Sequence, residues 1–475
     1  MGTSRASWVE RNRRAVLFGV LAAAVAVRLA VGLRAPRPFG YVWDLYHEAV
    51  MWAYDHGRLP APTDCWECYP PPLYVIAGLP FYALGKLAAG GAAAGGMRLL
   101  AWASMLGVGL LVYYCDKTLV LLRASWNERL LAMSLALALP CLVIGSYAAE
   151  SDILLAALMA AFFYQLCLRR LRPGRRFRGQ ALILGALAGL SALTKYSGLL
   201  TLPTAAAVLG PDMFRPRLRR RATRDLVIVF AVAGALCGGH YAGNMRAQGK
   251  FFLKPPWLRT VHADDGLRRN LARYDFLSFN VADVVSLYRP ETPGKLDTFP
   301  VYRSVWSALY ATAWTDMTFF SLPERQPWVL PQGYGEGRVV AMVVDTPVDA
   351  VRVAAYPAKR VPRPLIELVL RLGVIPGVLA LIGVLATARR RALRPFFVYA
   401  GLSLGAYFWW ILGQDSWALK AKYLLFLLPV YLACVILGLR AAARVDRRLG
   451  AAAAAGVLAA ILAAQAYVWA FALAP

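Results

Sequence analysis

Tyr41-Val42-Trp43-Asp44-Leu45-Tyr46-His47-Glu48 is followed by Asp55-His56-Gly57-Arg58-Leu59-Pro60 and then by Cys65-Trp66-Glu67-Cys68-Tyr69-Pro70-Pro71-Pro72-Leu73-Tyr74. This stretch comes directly after the first long apolar segment, residues 15–33, which is interrupted only by Arg28. A segment of that length can cross about 30 Å of hydrocarbon. It is too long for a signal peptide and has no convincing cleavage site behind it, so it reads as a retained anchor. Residues 34–70 then form the first loop outside the bilayer, and the loop is acidic. At its end the prolines suit the first turn of a helix, and the paired tyrosines mark the headgroup level. The spacing thus predicts a membrane chain with carboxylates gathered at its mouth.

The rest of the chain agrees. It has 475 residues, of which 59% are hydrophobic, and its mean hydropathy is +0.50. That is more apolar surface than one soluble core holds. Further apolar segments fall at 71–90, 98–121, 128–147, 150–168, 180–210, 225–243, 365–388, 395–413, 420–439 and 449–473. The expected fold class is an α-helical polytopic membrane protein of about 11–12 transmembrane helices. Between them lies a polar, aromatic, Pro- and Gly-containing stretch, 244–364, too long for a connector and therefore a folded extramembrane region. The chain divides into an N-terminal transmembrane module, 1–243, this large loop region, and C-terminal helices, 365–475.

The formal charge of +27 invites a nucleic-acid reading, but the arginines sit in short loops: Arg11 to Arg14, Arg169 to Arg178, Arg215 to Arg224, Arg389 to Arg394 and Arg440 to Arg448. This is the pattern that orients helices with their basic loops inside, with attraction to anionic membrane lipids as a by-product. No nucleic-acid partner is expected. The acidic loop and 244–364 then belong to the non-cytoplasmic side. Parity leaves a conflict around 90–224. Either one early segment is re-entrant and 180–210 crosses twice, breaking near Thr194-Lys195-Tyr196-Ser197-Gly198, or 180–210 is one long span.

Several polar groups stand out against this apolar background. Read as a helix, 44–56 places Asp44, His47, Glu48, Met51 and Asp55 on one stripe, with Leu45, Ala49, Val50 and Ala53 largely opposite. Such a helix would bury its apolar face in headgroups and turn the polar stripe outward. Glu150 and Asp152 stand at the edge of an apolar segment, where carboxylates are costly or complete a helix start. Lys195, alone in a long apolar run, either meets a lipid phosphate or snorkels. His240, Asn244 and Arg246 leave the 225–243 segment and suit phosphate or hydroxyl groups, or a plain polar cap. Trp314 and Asp316, near Tyr310, offer an aromatic face with one carboxylate, as a core or as a sugar platform. Lys422 and Tyr423, with Lys420, place cations at the outer face against the usual bias, which points to an anionic partner. Of seven cysteines, Cys65 and Cys68 form the local pair, as a disulfide, free thiols or part of a metal site with His47 and His56.

In their order these pieces resemble the GT-C glycosyltransferases, in the branch holding protein O-mannosyltransferases and aminoarabinose transferases. The pieces are the acidic first loop, Pro70-Pro71-Pro72-Leu73-Tyr74, Glu150-Ser151-Asp152, Leu193-Thr194-Lys195-Tyr196-Ser197-Gly198, Asn244-Met245-Arg246, and Lys422-Tyr423 running on to Pro429. The resemblance implies a GT-C-like bundle and an inverting transfer of a hexosyl or pentosyl sugar. The donor would be a polyprenyl-phosphate sugar and the acceptor a lipid, glycan or protein. The chain would lie in a bacterial inner membrane with its active site facing outward. Family members often carry adjacent Asp-Glu in the first loop. Here Leu45 follows Asp44, so Asp44 matches the first acid and Glu48 is the nearest second. On this reading Asp44 is the catalytic base, with Glu48 beside it. His47, Tyr74, Asp152, Lys195, His240, Asn244, Arg246, Trp314, Asp316, Lys422 and Tyr423 bind substrate. No cofactor is assigned, and a divalent cation stays open. The competing class is a transporter or lipid flippase. It would place ionisable groups along a mid-membrane path and show internal repeats; the spans here are mostly clean in their middles.

Overall fold

The structure is a computed structural model. It describes residues 46–65, 68–147, 150–171, 179–253, 275–280, 304–315, 362–412 and 421–473, with a few single positions between 15 and 26. Asp44, Trp66, Glu67 and Asp316 lie outside the described residues. Among those described, the chain is helical, with one isolated bridge between Asp275 and Ser304.

The first helices are α1 (Tyr46–His56) and α2 (Leu73–Ala88). They are followed by α3 (Ala93–Leu121), α4 (Trp126–Ala138), α5 (Pro140–Tyr147) and α6 (Ser151–Leu171). Next come α7 (Gln180–Thr194), α8 (Thr201–Leu209) and α9 (Arg219–Gln248). After the large region's α10 (Val305–Trp314), the chain forms α11 (Arg363–Leu372), α12 (Val374–Thr387), α13 (Arg394–Leu412), α14 (Leu428–Val445) and α15 (Arg447–Leu473). Seven helices, counted over the described residues, are long and apolar enough to cross a membrane: Ala93–Leu121, Ser151–Leu171, Arg219–Gln248, Pro364–Thr387, Arg391–Leu412, Ala421–Val445 and Arg447–Ala470.

Local chemistry sets the ends. Ser125 and Glu128 form a reciprocal capping box that starts α4. Proline at 140 has no N–H and its ring collides with the preceding turn, so the segment expected as one span over 128–147 is split into α4 and α5. Gly249 closes α9 in a left-handed conformation, φ +64°, which glycine adopts without strain.

Ion pairs mark two ends of the bundle. At the basic end Arg440 holds Glu128 at 2.7 Å, Arg129 holds Asp116, Arg170 holds Asp212, and Arg169 is buried against Asp225. At the other end Lys195 meets Asp152 and Lys422 meets Glu150. The passage 180–214 therefore starts near the basic end, reaches the carboxylate end at Lys195, and returns to Asp212. It runs out and back along the bundle, breaking where the sequence suggested. The α2 helix, expected as a span, runs alongside α1: Tyr46 faces Tyr74, Tyr54 faces Tyr82, and Lys86 bonds Asp55 at 3.3 Å. It also packs against the first half of α3, with Gly78 beside Leu100 and Gly85 beside Gly95, whereas Gly107 of α3 is already level with Ile153 of α6. So α2 extends beyond the start of α6 rather than through the bundle.

The main core joins α3 to α6 with α10 to α15. Its tightest seam is α12 on α14. A Cβ on Gly383 would lie 1.9 Å from the Cys434 carbonyl, and one on Gly438 would lie 2.0 Å from that of Leu379. Small residues let membrane helices close backbone to backbone, where apolar burial gives no preference between lipid and protein.

Candidate functional site

The α1 helix confirms a polar-apolar division but not its expected orientation. Ala49, Val50 and Ala53 are buried, as the pattern requires, yet they pack on α2 and the Cys68 segment rather than facing headgroups. His47, placed on the outward stripe, is buried as well, while Asp55 is half exposed and paired with Lys86. Cys65 and Cys68 form a disulfide, Cα atoms 5.1 Å apart, and both cysteines pack against Ala49, Ala53 and Val75.

The wall that follows, Pro70 to Pro72, faces Tyr46, Leu59, Pro60, Cys68, Tyr74, Ser151 and Thr194 across a cleft at the carboxylate end. Its walls are mainly apolar, with Tyr46, Tyr74, Ser151 and Thr194 the hydroxyl-bearing residues among them. The Tyr74 Oη and Ser151 Oγ atoms are buried there and bond to no protein group among the described residues, as is Asp152 Oδ2 beside them.

Charge gathers around the start of α6. Lys195 Nζ lies 2.7 Å from Asp152 Oδ1, and Lys422 Nζ lies 2.9 Å from Glu150 Oε1. The second pair is sealed, with each side chain 1% exposed, whereas the Lys195 side chain keeps 20% exposure. The Tyr423 ring stands between the ammonium groups, 4.7 Å from Lys195 Nζ and 5.3 Å from Lys422 Nζ, and Tyr46 lies 5.5 Å from Lys195 Nζ. Aromatic faces attract such cations. Four elements distant in sequence thus build one neutral, tightly paired cluster. The sequence reading offered both lysines to an external anion; the structure shows each already facing a carboxylate.

The helix break presents Lys195. Its backbone is extended, φ −158°, between the end of α7 and a 3-10 turn over Tyr196–Leu200. Gly198 permits the turn, since a Cβ there would lie 2.0 Å from the Ser191 carbonyl.

The remaining candidates divide into two groups. Asn244 is buried at the end of α9, with Nδ2 3.2 Å from His240 Nε2 and donating to the Phe251 carbonyl at 3.3 Å. Arg246, two residues on, is exposed. Trp314 is buried in the main core with its ring against Gly373 and does not line the cleft. Glu48 is half-buried on α1. The sequence reading missed Ser151 and Tyr196, though both lie inside motifs it quoted. Among the described residues no group of three His, Cys, Asp or Glu side chains is arranged to hold a metal ion.

No protein-family model matches the sequence, and no curated protein matches it. Solved structures do. The chain is similar to the oligosaccharyltransferase AglB of Archaeoglobus fulgidus in complex with an inhibitory peptide and a dolichol-phosphate, at 16% identity and a TM-score of 0.50. The match covers 98% of this chain and 56% of that one, so this chain spans just over half the length of the archaeal enzyme. It is also similar to ArnT from Cupriavidus metallidurans in the apo state, at 17% identity and a TM-score of 0.40, covering 96% of this chain and 77% of that one. The ArnT structure bound to undecaprenyl phosphate gives 16% and 0.39 over the same shares.

Proposed function

We propose that this chain, a helical membrane protein with the fold of the GT-C glycosyltransferases, moves a sugar from a polyprenyl-phosphate donor to a hydroxyl-bearing lipid, glycan or protein acceptor, with inversion. The observation that carries the reading is the paired cluster of Glu150, Asp152, Lys195 and Lys422 beside a mainly apolar cleft. Transfer needs both signs of charge at one place. A carboxylate orients the acceptor hydroxyl and takes its proton. Cations stabilise the lipid phosphate as it leaves. The apolar cleft suits the first carbons of a prenyl chain, and the phosphate would sit at its charged rim. Lys195, the more exposed lysine, is the natural first contact for the phosphate; Arg246 and Lys422 are its further candidates. Asp44 remains the proposed base and Glu48 its neighbour. His47, Tyr74, Asp152, His240, Asn244, Trp314, Asp316 and Tyr423 are proposed to shape the donor and acceptor sites.

Purified protein given labelled polyprenyl-phosphate sugars and a panel of acceptors is expected to transfer label. No turnover across the panel, together with lipid movement across vesicles, would replace this reading with that of a flippase.

The basic end is proposed to face the cytoplasm, which puts the cleft and 244–364 on the opposite face of a bacterial plasma membrane. Single cysteines replacing Arg58 and Lys295 should react with an impermeant maleimide in intact cells. Protection of either one rejects this orientation.

A further inference from the structure

Tyr196 stands next to Lys195 and ties together three segments far apart in sequence. Its hydroxyl donates to the Tyr69 carbonyl at 2.9 Å and accepts from the Leu253 N–H at 3.1 Å. Tyr69 opens the proline wall of the cleft, which runs through Pro70, Pro71 and Pro72. Leu253 is buried at the start of the large region. One oxygen therefore serves both the cleft wall and the strand of chain that leads out of α9.

The surroundings hold that strand in place. Gly249 turns the chain back at φ +64°, and Asn244 holds the Phe251 carbonyl. The Phe252 ring lies 5.4 Å from Tyr196 and 6.4 Å from Tyr241. Tyr241 in turn bonds the Ala192 carbonyl at 2.9 Å, in the last turn of α7. On the cleft side, the Lys195 N–H bonds Ser191 and its carbonyl accepts from the Gly198 N–H at 2.9 Å. Lys195 is thus presented by a short extended step whose next residue is anchored on two sides.

We propose that Tyr196 is a positioning residue: it fixes the break that presents Lys195 and couples the start of the large region to the cleft. This rests on the reading that Lys195 meets a lipid phosphate. A phosphate that draws Lys195 away from Asp152 pulls on the step beside Tyr196. The pull reaches Leu253 through the shared hydroxyl, so ligand at the cleft alters the chain at 249–253.

The test uses undecaprenyl phosphate as probe and full-length protein in detergent micelles. Lys250, exposed just before this strand, is replaced by cysteine and its maleimide labelling rate is followed. Adding undecaprenyl phosphate should change that rate several-fold. Tyr196→Phe keeps the ring packing and removes both hydrogen bonds, each of modest net worth. It should weaken binding of the probe by about tenfold and abolish the labelling response, while the folded, monodisperse yield stays near that of the parent. A merely structural tyrosine would lower the melting temperature and leave the labelling response intact, and that result overturns the proposal. Binding without any labelling change in the Lys250→Cys parent also overturns it, whatever Tyr196→Phe does. Failure of the parent to bind undecaprenyl phosphate rejects the phosphate reading itself, and this inference with it.

Discussion

Lys422→Met is expected to leave little folded protein. The lysine is 2% exposed, and its ammonium faces Glu150 at 2.9 Å. Removing one member of a buried pair strands the other charge in a medium that solvates it poorly, at a cost of about 3–5 kcal/mol. Native stability is itself only about 5–15 kcal/mol, so the loss is a large share of it. Glu150→Gln together with Lys422→Met removes both charges and should recover most of the yield. The measurement is thermal unfolding in detergent, read by size-exclusion recovery after heating. Parent-like recovery of the single variant would show that the pair does not hold the fold. Lys195→Met should cost less, because that ammonium is open enough for water to reach Asp152 once the lysine is gone.

The second large effect concerns turnover. Asp44→Asn keeps size and most hydrogen bonding but cannot accept a proton. Loss of a positioned base typically costs about 10²–10⁴-fold in rate. Donor lipid should still bind, since the lysines remain. Glu48→Gln should cost less, because Glu48, four residues on in sequence, is proposed to tune Asp44 or to position the acceptor. Steady-state transfer and direct lipid binding on the same preparations separate the two steps. Near-normal turnover in Asp44→Asn with an inactive Glu48→Gln reverses the roles. Full activity in both moves the base elsewhere, with Asp152 and Asp316 the next carboxylates to replace.

Seven of the expected spans were legible, because apolar runs of membrane length have few competing explanations. The break at Lys195 was legible for the same reason: a lone charge and a glycine interrupt an otherwise clean run. The role of residues 71–90 was not. Its hydropathy matches that of a span, and only packing on α1 and on the first half of α3 shows that α2 lies beyond the bundle. Residue types marked Glu150, Asp152, Lys195 and Lys422 as unusual, but pairing is a property of three dimensions. Lys422 meets an acid 272 positions away, and no local pattern encodes that partner. Trp314 is undecided by sequence for a different reason. An aromatic residue beside a carboxylate reads equally as a sugar platform or as core, and burial against Gly373 is visible only in the folded chain.

The two ion pairs also differ in when they can form during synthesis. Asp152 and Lys195 are 43 residues apart, so at about 5–20 residues per second the lysine emerges roughly 2–9 s after its acid. Glu150 waits for a residue 272 positions on, roughly 14–54 s at the same rate. The short helices on either side of Lys195 can therefore settle early as a pair against α6. The Glu150 contact closes only when α14 enters the membrane. That late contact makes the last third of the chain the step that completes the charged cluster, and a chain truncated before Lys422 would leave the ribosome with the cluster half made.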